Sequence, residues 1–307
     1  MAQPTSLKIA LIQMACAKEP EQNLRTAVEA VGEAARRGAR VVCLPELFRS
    51  QYFCQREDVK VFDLAEPVPG PSVRALARIA RGRRITVIAP IFERRAPGIY
   101  HNSAAVLGPN GKIIGLYRKM HIPDDPGYYE KFYFTPGDLG FQVFDSPAGR
   151  FAPLICWDQW YPEAARLVSL RGAHVIFYPT AIGWHPAEKR AFGRAQLEAW
   201  RTVQRAHAIT NGVYVAAVNR VGLEKAHPSE AGIEFWGSSF IADPQGVVVA
   251  EASSKREEIL IGEVDLRHLE EVRRHWPFWR DRRIDAYADL SQRFLDRPRA
   301  TEKSRER

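Results

Sequence analysis

The sequence predicts an α/β fold, a four-layer αββα sandwich of two mixed β-sheets packed face to face with helices on the outside. Three observations predict it. Apolar runs of strand length alternate with segments of helical spacing along most of the chain. The phrase Arg37-Gly-Ala-Arg-Val-Val-Cys-Leu-Pro45 returns as Arg171-Gly-Ala-His-Val-Ile-Phe-Tyr-Pro179, displaced by 134 residues. The turn Gly108-Pro-Asn-Gly111 returns as Asp243-Pro-Gln-Gly246, displaced by 135. Two different phrases sharing one displacement point to an internal duplication of half the chain.

In the first half, Leu7 to Met14 is apolar and reads as a buried strand. Pro20 to Arg37 carries Leu24, Ala27, Val28, Val31 and Ala35 at helical spacing, with Gly38 as its stop. Arg40 to Leu44 is a strand that runs into Pro45-Glu46. Ser72 to Arg83 reads as a short helix with Ser72 as N-cap. Ile85 to Phe92 is a strand, and the turn at Gly108 to Gly111 joins Ser103–Leu107 to Lys112–Tyr117. In the second half, strands at Phe141–Phe144 and Phe151–Cys156 flank a turn at Pro147 to Gly149. A helix from about Tyr161 to Leu170, a strand from Ala173 to Tyr178 and a long helix from about Gly193 to Ile209 follow. The remaining strands are Tyr214–Val218, Ser238–Ala242, Val247–Ala250 and Ile259–Val264. Residues 1–296 are expected to form one domain, and residues 297–307 a disordered basic tail.

Composition narrows the function. The 307 residues are 46% hydrophobic, enough for one large core. No apolar run approaches the roughly 20 residues of a membrane span, and no secretory signal is visible at Met1 to Ser6. The formal charge of +8 includes five bases against two acids in the last 11 residues, and the other bases are scattered. Nucleic-acid and membrane partners are therefore not expected. Cys16, Cys43, Cys54 and Cys156 form no CxxC pair and no Cys/His set with zinc spacing. Free thiols, a cytoplasmic location and no metal or cofactor are expected.

Cys156 stands between a strand and a helix whose first turn suits Pro162. A thiol there, near a helix N-terminus or a cation, is expected to have a lowered pKa and act as a nucleophile, although most cytosolic cysteines are simply core. The other three cysteines are read as core residues that tolerate replacement. Glu46 follows an apolar strand, where a carboxylate has no packing reason to stand; aimed into a cleft it is a general base. Lys119, after the hairpin strand, is either a snorkelling surface residue or an oxyanion partner. The backbone N–H of Trp157 is a second oxyanion donor, and Glu130 is placed to orient Lys119 or the substrate amide. His121 and His207 lie in no nucleophile-partner motif and read as structural, so a papain-like Cys/His system is not expected. Trp157, Trp160 and Tyr161 read as pocket wall.

Leu44-Pro-Glu-Leu-Phe48, Tyr117-Arg-Lys-Met-His121 and Ile155-Cys-Trp-Asp158, in that order and at these separations, resemble the glutamate, lysine and cysteine motifs of the nitrilase superfamily. The likeness runs from about Lys8 to Asp285 and takes in Asn102-Ser103, Phe134-Thr-Pro-Gly137 and Trp236-Gly-Ser-Ser239. It implies the αββα fold, catalysis without a metal, and a homodimer or larger homo-oligomer. Within the superfamily, Arg118 to Gly127, Tyr128 to Phe134 and Cys156 to Pro162 resemble the N-carbamoylputrescine amidohydrolases. That implies a small carbamoylated amine as substrate. An amine end calls for an acid in the pocket, for which Asp125 and Glu188 are the candidates beside Asp124; a carbamoylated amino acid calls for an arginine instead. Gly183 to Glu188 departs from the plant-type members and leaves the exact amine open. A nitrile-cleaving enzyme and a non-catalytic binding protein of the same fold are the rival readings.

Overall fold

The structure is a computed structural model, and it describes residues 5–295. The expected tail at 297–307 lies outside the described residues. The first half contains β1 (Ser6–Gln13), α1 (Pro20–Arg36), β2 (Val41–Cys43), α2 (Pro71–Arg83), β3 (Thr86–Ala96), β4 (Ile99–Leu107), β5 (Ile113–Arg118) and α3 (Glu130–Tyr133). The second contains β6 (Phe144–Ser146), β7 (Gly149–Pro153), α4 (Pro162–Leu170), β8 (Val175–Pro179), β9 (Gly183–Trp184), α5 (Pro186–Asn211) and β10 (Tyr214–Val218). It continues with β11 (Val221–Glu224), β12 (Ile233–Trp236), β13 (Phe240–Ala242) and β14 (Val248–Glu251), and the described chain closes with β15 (Glu258–Asp265) and α6 (Leu266–His275).

One six-stranded sheet has the order β15-β1-β2-β3-β4-β5, the other β14-β13-β10-β8-β7-β6. Strand for strand, β1, β2, β3, β4 and β5 correspond to β7, β8, β10, β13 and β14. In both sheets the first three of these run parallel and the last two antiparallel. The two repeated turns also bond alike: Gly108 N–H donates to the Lys112 carbonyl at 2.8 Å, and Asp243 N–H to Val247 at 2.9 Å. The duplication read from the sequence is therefore present in the topology.

Alternate residues explain the layers. Ile9, Leu11, Val41, Cys43 and Ile88 face the second sheet, whereas Ala10, Ile12, Val42, Val87 and Ala89 pack under α1 and α2. Both faces are covered, so the strands read as unbroken apolar runs rather than alternating ones. In α1, Leu24, Ala27, Val31 and Ala34 are the buried stripe, and Gly38 at φ +94° ends the helix as expected.

Several boundaries differ from the sequence reading. Ser72 is not the N-cap of α2: Gly70 is, with Pro71 next, and the Glu66 carboxylate accepts the Ser72 N–H at 2.8 Å. A distant acid thus does the work expected of the local hydroxyl. The long helix begins at Pro186, seven residues early, because proline suits a first turn and the exposed segment 186–192 carries no apolar stripe to announce itself. The strand before Cys156 stops at Pro153, and the one expected at Phe141–Phe144 is Phe144–Ser146. The small sheet β11-β12-β9 and helix α6 had no sequence signal strong enough to draw them. The former has strands of two to four residues, and α6 buries only Leu269 and Val272.

Candidate active site

Glu46 lies three residues beyond β2, Lys119 immediately beyond β5, and Cys156 three residues beyond β7. The sheet stacking brings these ends together. The Lys119 ammonium sits between two carboxylates, Nζ to Glu46 Oε1 at 2.8 Å and to Glu130 Oε2 at 2.6 Å, with all three side chains buried. Asn102 Nδ2 also donates to Glu46 Oε1, at 2.7 Å, and the Tyr52 hydroxyl donates to Glu130 Oε1 at 2.7 Å. Lys119 itself is held at its backbone, its N–H on the Asn102 carbonyl and its carbonyl under the Gly137 N–H, each at 2.8 Å. Gly137 permits this approach: a Cβ there would lie 2.1 Å from the Arg118 carbonyl oxygen. Glu46 Oε2 has no partner. Since buried polar atoms ordinarily pair, this oxygen is free to take a proton from a thiol or a water.

Cys156 has φ +44°, a left-handed residue at the start of a short 3₁₀ turn, Cys156–Trp160. A non-glycine residue is held there only by its surroundings. Asp158 supplies much of the hold. Its carboxylate accepts from Ile155 N–H at 3.0 Å, the Tyr117 hydroxyl at 2.7 Å and His121 N–H at 3.0 Å, and it lies 2.7 Å from His121 Nδ1. One buried acid thus joins the Cys156 turn to the Lys119 loop. Behind the turn, Gln159 accepts from Trp200 Nε1 at 2.9 Å and its carbonyl meets His207 Nε2 at 2.8 Å. His121 stacks on Tyr161, and its ring and that of His207 each have a hydrogen-bond partner within the fold. The Trp157 N–H, at the start of the turn, is one of the amides that helical bonding leaves open for an anion.

The electrostatics depart from expectation at the thiol. Burial pushes Cys156 well above the ordinary cysteine value, and Glu46 adds to this against the opposing pull of Lys119. The expected lowering does not occur, because a five-residue turn offers little dipole and desolvation dominates. Reaction through the Cys156 thiolate would therefore need a base. For Lys119, burial works to lower the ammonium, but Glu130 and Glu46 outweigh it and hold the charge. Burial pushes the Glu130 carboxyl up, against Lys119.

A cavity of about 810 Å³ opens onto this cluster. Cys156, Trp157, Trp160 and Glu130 line it, and so do both predicted acids, Asp125 and Glu188, each exposed to solvent. Asp124 and Tyr161 do not. Glu230, from the loop between β11 and β12, is a fourth acid in the wall, after Glu130, Asp125 and Glu188. Sequence reasoning missed it because an acid in a polar loop has no local mark. It missed Tyr52 because a tyrosine beside Phe53 and Cys54 reads as core, whereas Asp158 stands inside the cysteine motif and could have been found there. Among the described residues, no group of three or more His, Cys, Asp or Glu side chains is placed to hold a metal ion. Nor is any helix of these residues long and apolar enough to cross a membrane.

Comparison with known proteins agrees with the geometry. The carbon-nitrogen hydrolase family model matches residues 8–274. An N-carbamoylputrescine amidase of Oryza sativa subsp. japonica is 41% identical over 93% of this chain and 95% of its own. A citrullinase of Francisella tularensis is 37% identical over 94% and 99%. The crystal structure of a carbon-nitrogen hydrolase from Helicobacter pylori G27 superposes with a TM-score of 0.91 at 45% identity, covering 94% of this chain and 100% of that one. The chain belongs to the carbon-nitrogen hydrolase family of the nitrilase superfamily, and it is a hydrolase acting on amides.

Proposed function

We propose that this hydrolase removes the terminal ureido group of N-carbamoylputrescine, giving putrescine, carbon dioxide and ammonia. One observation carries the choice of substrate. The cavity wall holds Asp125, Glu188 and Glu230 but no lysine or arginine, and none of the three acids has an ion-pair partner among the described residues. Such a wall favours a substrate that ends in an ammonium and disfavours one that ends only in a carboxylate.

In the mechanism, Glu46 takes the proton of Cys156 and the thiolate attacks the ureido carbon. Lys119 and the Trp157 N–H hold the oxyanion. The C–N bond breaks, Glu46 returns its proton to the leaving nitrogen, and ammonia departs, leaving a carbamoyl thioester on Cys156. Glu46 then takes a proton from water, whose oxygen attacks the thioester carbon. The thiol is restored, and the released carbamate loses carbon dioxide. Glu130 keeps Lys119 charged and in place. The four free cysteines fit a cytoplasmic enzyme. Exposed Leu167 and Leu170 on α4, with Leu290, Phe294 and Leu295 near the end of the described chain, fit a chain that pairs with another copy.

A second reading has its own observation. The indole N–H groups of Trp160 and Trp236, both residues in the cavity wall, lack partners. Turned toward the cavity, they would be donors for a substrate carboxylate set beside an ammonium, as in citrulline. An ammonia-release panel of N-carbamoylputrescine, citrulline and the carbamoylated ω-amino acid of matching length separates these. N-carbamoylputrescine should exceed the carboxylate-ended chain by at least about tenfold in kcat/KM, since one charged contact is worth roughly 1.5–3 kcal/mol. Asp125→Asn and Glu188→Gln should raise KM mainly for the amine-ended substrate, and at least one must do so. A preference for the carboxylate-ended chain would end the carbamoylputrescine assignment while sparing the Cys156 chemistry.

The reacting groups need no metal, so prolonged chelation is expected to leave turnover unchanged, whereas a neutral haloacetamide should abolish it. Because burial raises the Cys156 pKa, the alkylation rate of Glu46→Gln, which lacks the base, should climb about tenfold per pH unit from pH 7 to 9 without a plateau. A plateau below pH 8 in that variant would mean a lowered thiol, and restoration of chelated enzyme by zinc would mean a different mechanism.

A further inference from the structure

A fully buried ion pair stands behind the reacting groups, outside the cavity wall. Arg220 lies two residues beyond β10, and Glu224 ends β11; their side chains are 0% and 3% exposed. The guanidinium reaches across to the other half of the chain. Its Nη2 donates to the carbonyls of Glu46, at 2.7 Å, and Leu47, at 3.0 Å. Its Nη1 donates to the Ser50 carbonyl at 3.2 Å and to both Glu224 oxygens at 2.9 Å. Leu47 has φ +50°, a left-handed conformation that a bulky side chain avoids, so the turn carrying Glu46 has to be held by something. Two adjacent carbonyls captured by one rigid fork supply that hold.

Glu224 forms the second arm. Its Oε2 accepts the Tyr52 N–H at 2.6 Å, and the Tyr52 hydroxyl donates to Glu130 at 2.7 Å. Glu46 and Glu130 are the two carboxylates on either side of Lys119, and both are reached from this one pair. A buried ion pair is a poor source of net stability, because desolvation offsets attraction and an apolar pair packs as well. What the fork supplies that an apolar pair does not is direction at five acceptor atoms.

We infer that Arg220 and Glu224 are positioning residues, which set Glu46 and Glu130 against Lys119 so that Glu46 Oε2 stays free to take the Cys156 proton. The inference rests on the roles proposed above for Glu46 and Cys156.

Arg220→Lys tests it, since a lysine keeps the charge but presents its donors from one atom and cannot span those acceptors. Turnover is measured per active site, counted by stoichiometric alkylation of Cys156, on the amide the wild type hydrolyses best. The expected result is a kcat lower by about 30-fold or more with KM changed less than about threefold, in a protein that still melts cooperatively. Glu224→Gln should give the same split with a smaller loss, because it keeps one acceptor. A purely structural pair would lower the melting temperature and the number of sites but leave kcat per site alone. Either variant melting cooperatively with wild-type kcat per site overturns the inference. So does failure of Arg220→Lys to fold, which would make the pair a folding requirement. Glu46→Gln, run alongside, separates the two failures. If it retains turnover, the assignment of the base falls; if it is inactive while Arg220→Lys is fully active, only the positioning role falls.

Discussion

Replacing Cys156 by alanine is expected to lower turnover by at least about 10,000-fold while the protein folds as before, because the covalent route disappears and nothing else in the cavity is a nucleophile of comparable strength. Cys156→Ser should fare little better. Glu46 would have to deprotonate an alcohol rather than a thiol, and the geometry of the turn, fixed by Asp158, does not compensate for that difference. Ammonia release and circular dichroism on the same preparation check both halves of the statement. Wild-type turnover in Cys156→Ala would remove the mechanism altogether. The control is Cys43→Ala, whose thiol lies in β2 against the Leu44 carbonyl. Cys54 is a core thiol, as expected, but a less clean control than Cys43. Its sulfur is buried within the field of Glu130, Lys119 and Glu46, and burial pushes its pKa well up. Replacing it leaves a gap beside Tyr52, whose hydroxyl holds Glu130.

Why Glu46, Lys119 and Cys156 were legible while Arg220 and Glu224 were not is a matter of what a strand end announces. A carboxylate, a lysine and a cysteine, each following an apolar run, break the local pattern in a way packing does not require, and their order matched a known set of motifs. Arg220 and Glu224 also follow an apolar run, Val213 to Val218, but a basic and an acidic residue four apart read as a solvated pair. Only the fold shows that both are buried. The layers were legible for a related reason: the repeated phrases around Gly38 and Gly172 marked equivalent strands, and the structure places β2 and β8 at equivalent positions in the two sheets. The acidity of the Cys156 thiol was not legible, since desolvation depends on what covers the turn. The start of α5 was missed because proline and an exposed first turn leave no apolar period to read.

Lys119→Met is expected to be costly in two separable ways. With the ammonium gone, the Glu46 and Glu130 carboxylates remain buried, no longer joined by the group 2.8 and 2.6 Å from them. Removing one partner from a buried ionic cluster typically costs about 3–5 kcal/mol, and the loss of an oxyanion donor together with neutralisation of a carboxylate should lower kcat by at least about 1,000-fold. The pH dependence follows from the sign of the shift. In the variant the Glu130 carboxyl, pushed up by burial and no longer opposed by Lys119, is raised in the folded state relative to the unfolded chain, so the folded form binds an extra proton between the two values. The variant should therefore come nearest to wild-type stability in acid, and its deficit should deepen as pH rises through the raised value. Melting temperatures of both proteins from pH 4 to pH 8 test this directly. Lys119→Met combined with Glu130→Gln removes one of the two stranded charges and is expected to recover most of the stability but none of the turnover. Recovery of turnover in the double variant would show that Lys119 serves only to neutralise its neighbours, and the oxyanion would then have to be held by the Trp157 amide alone.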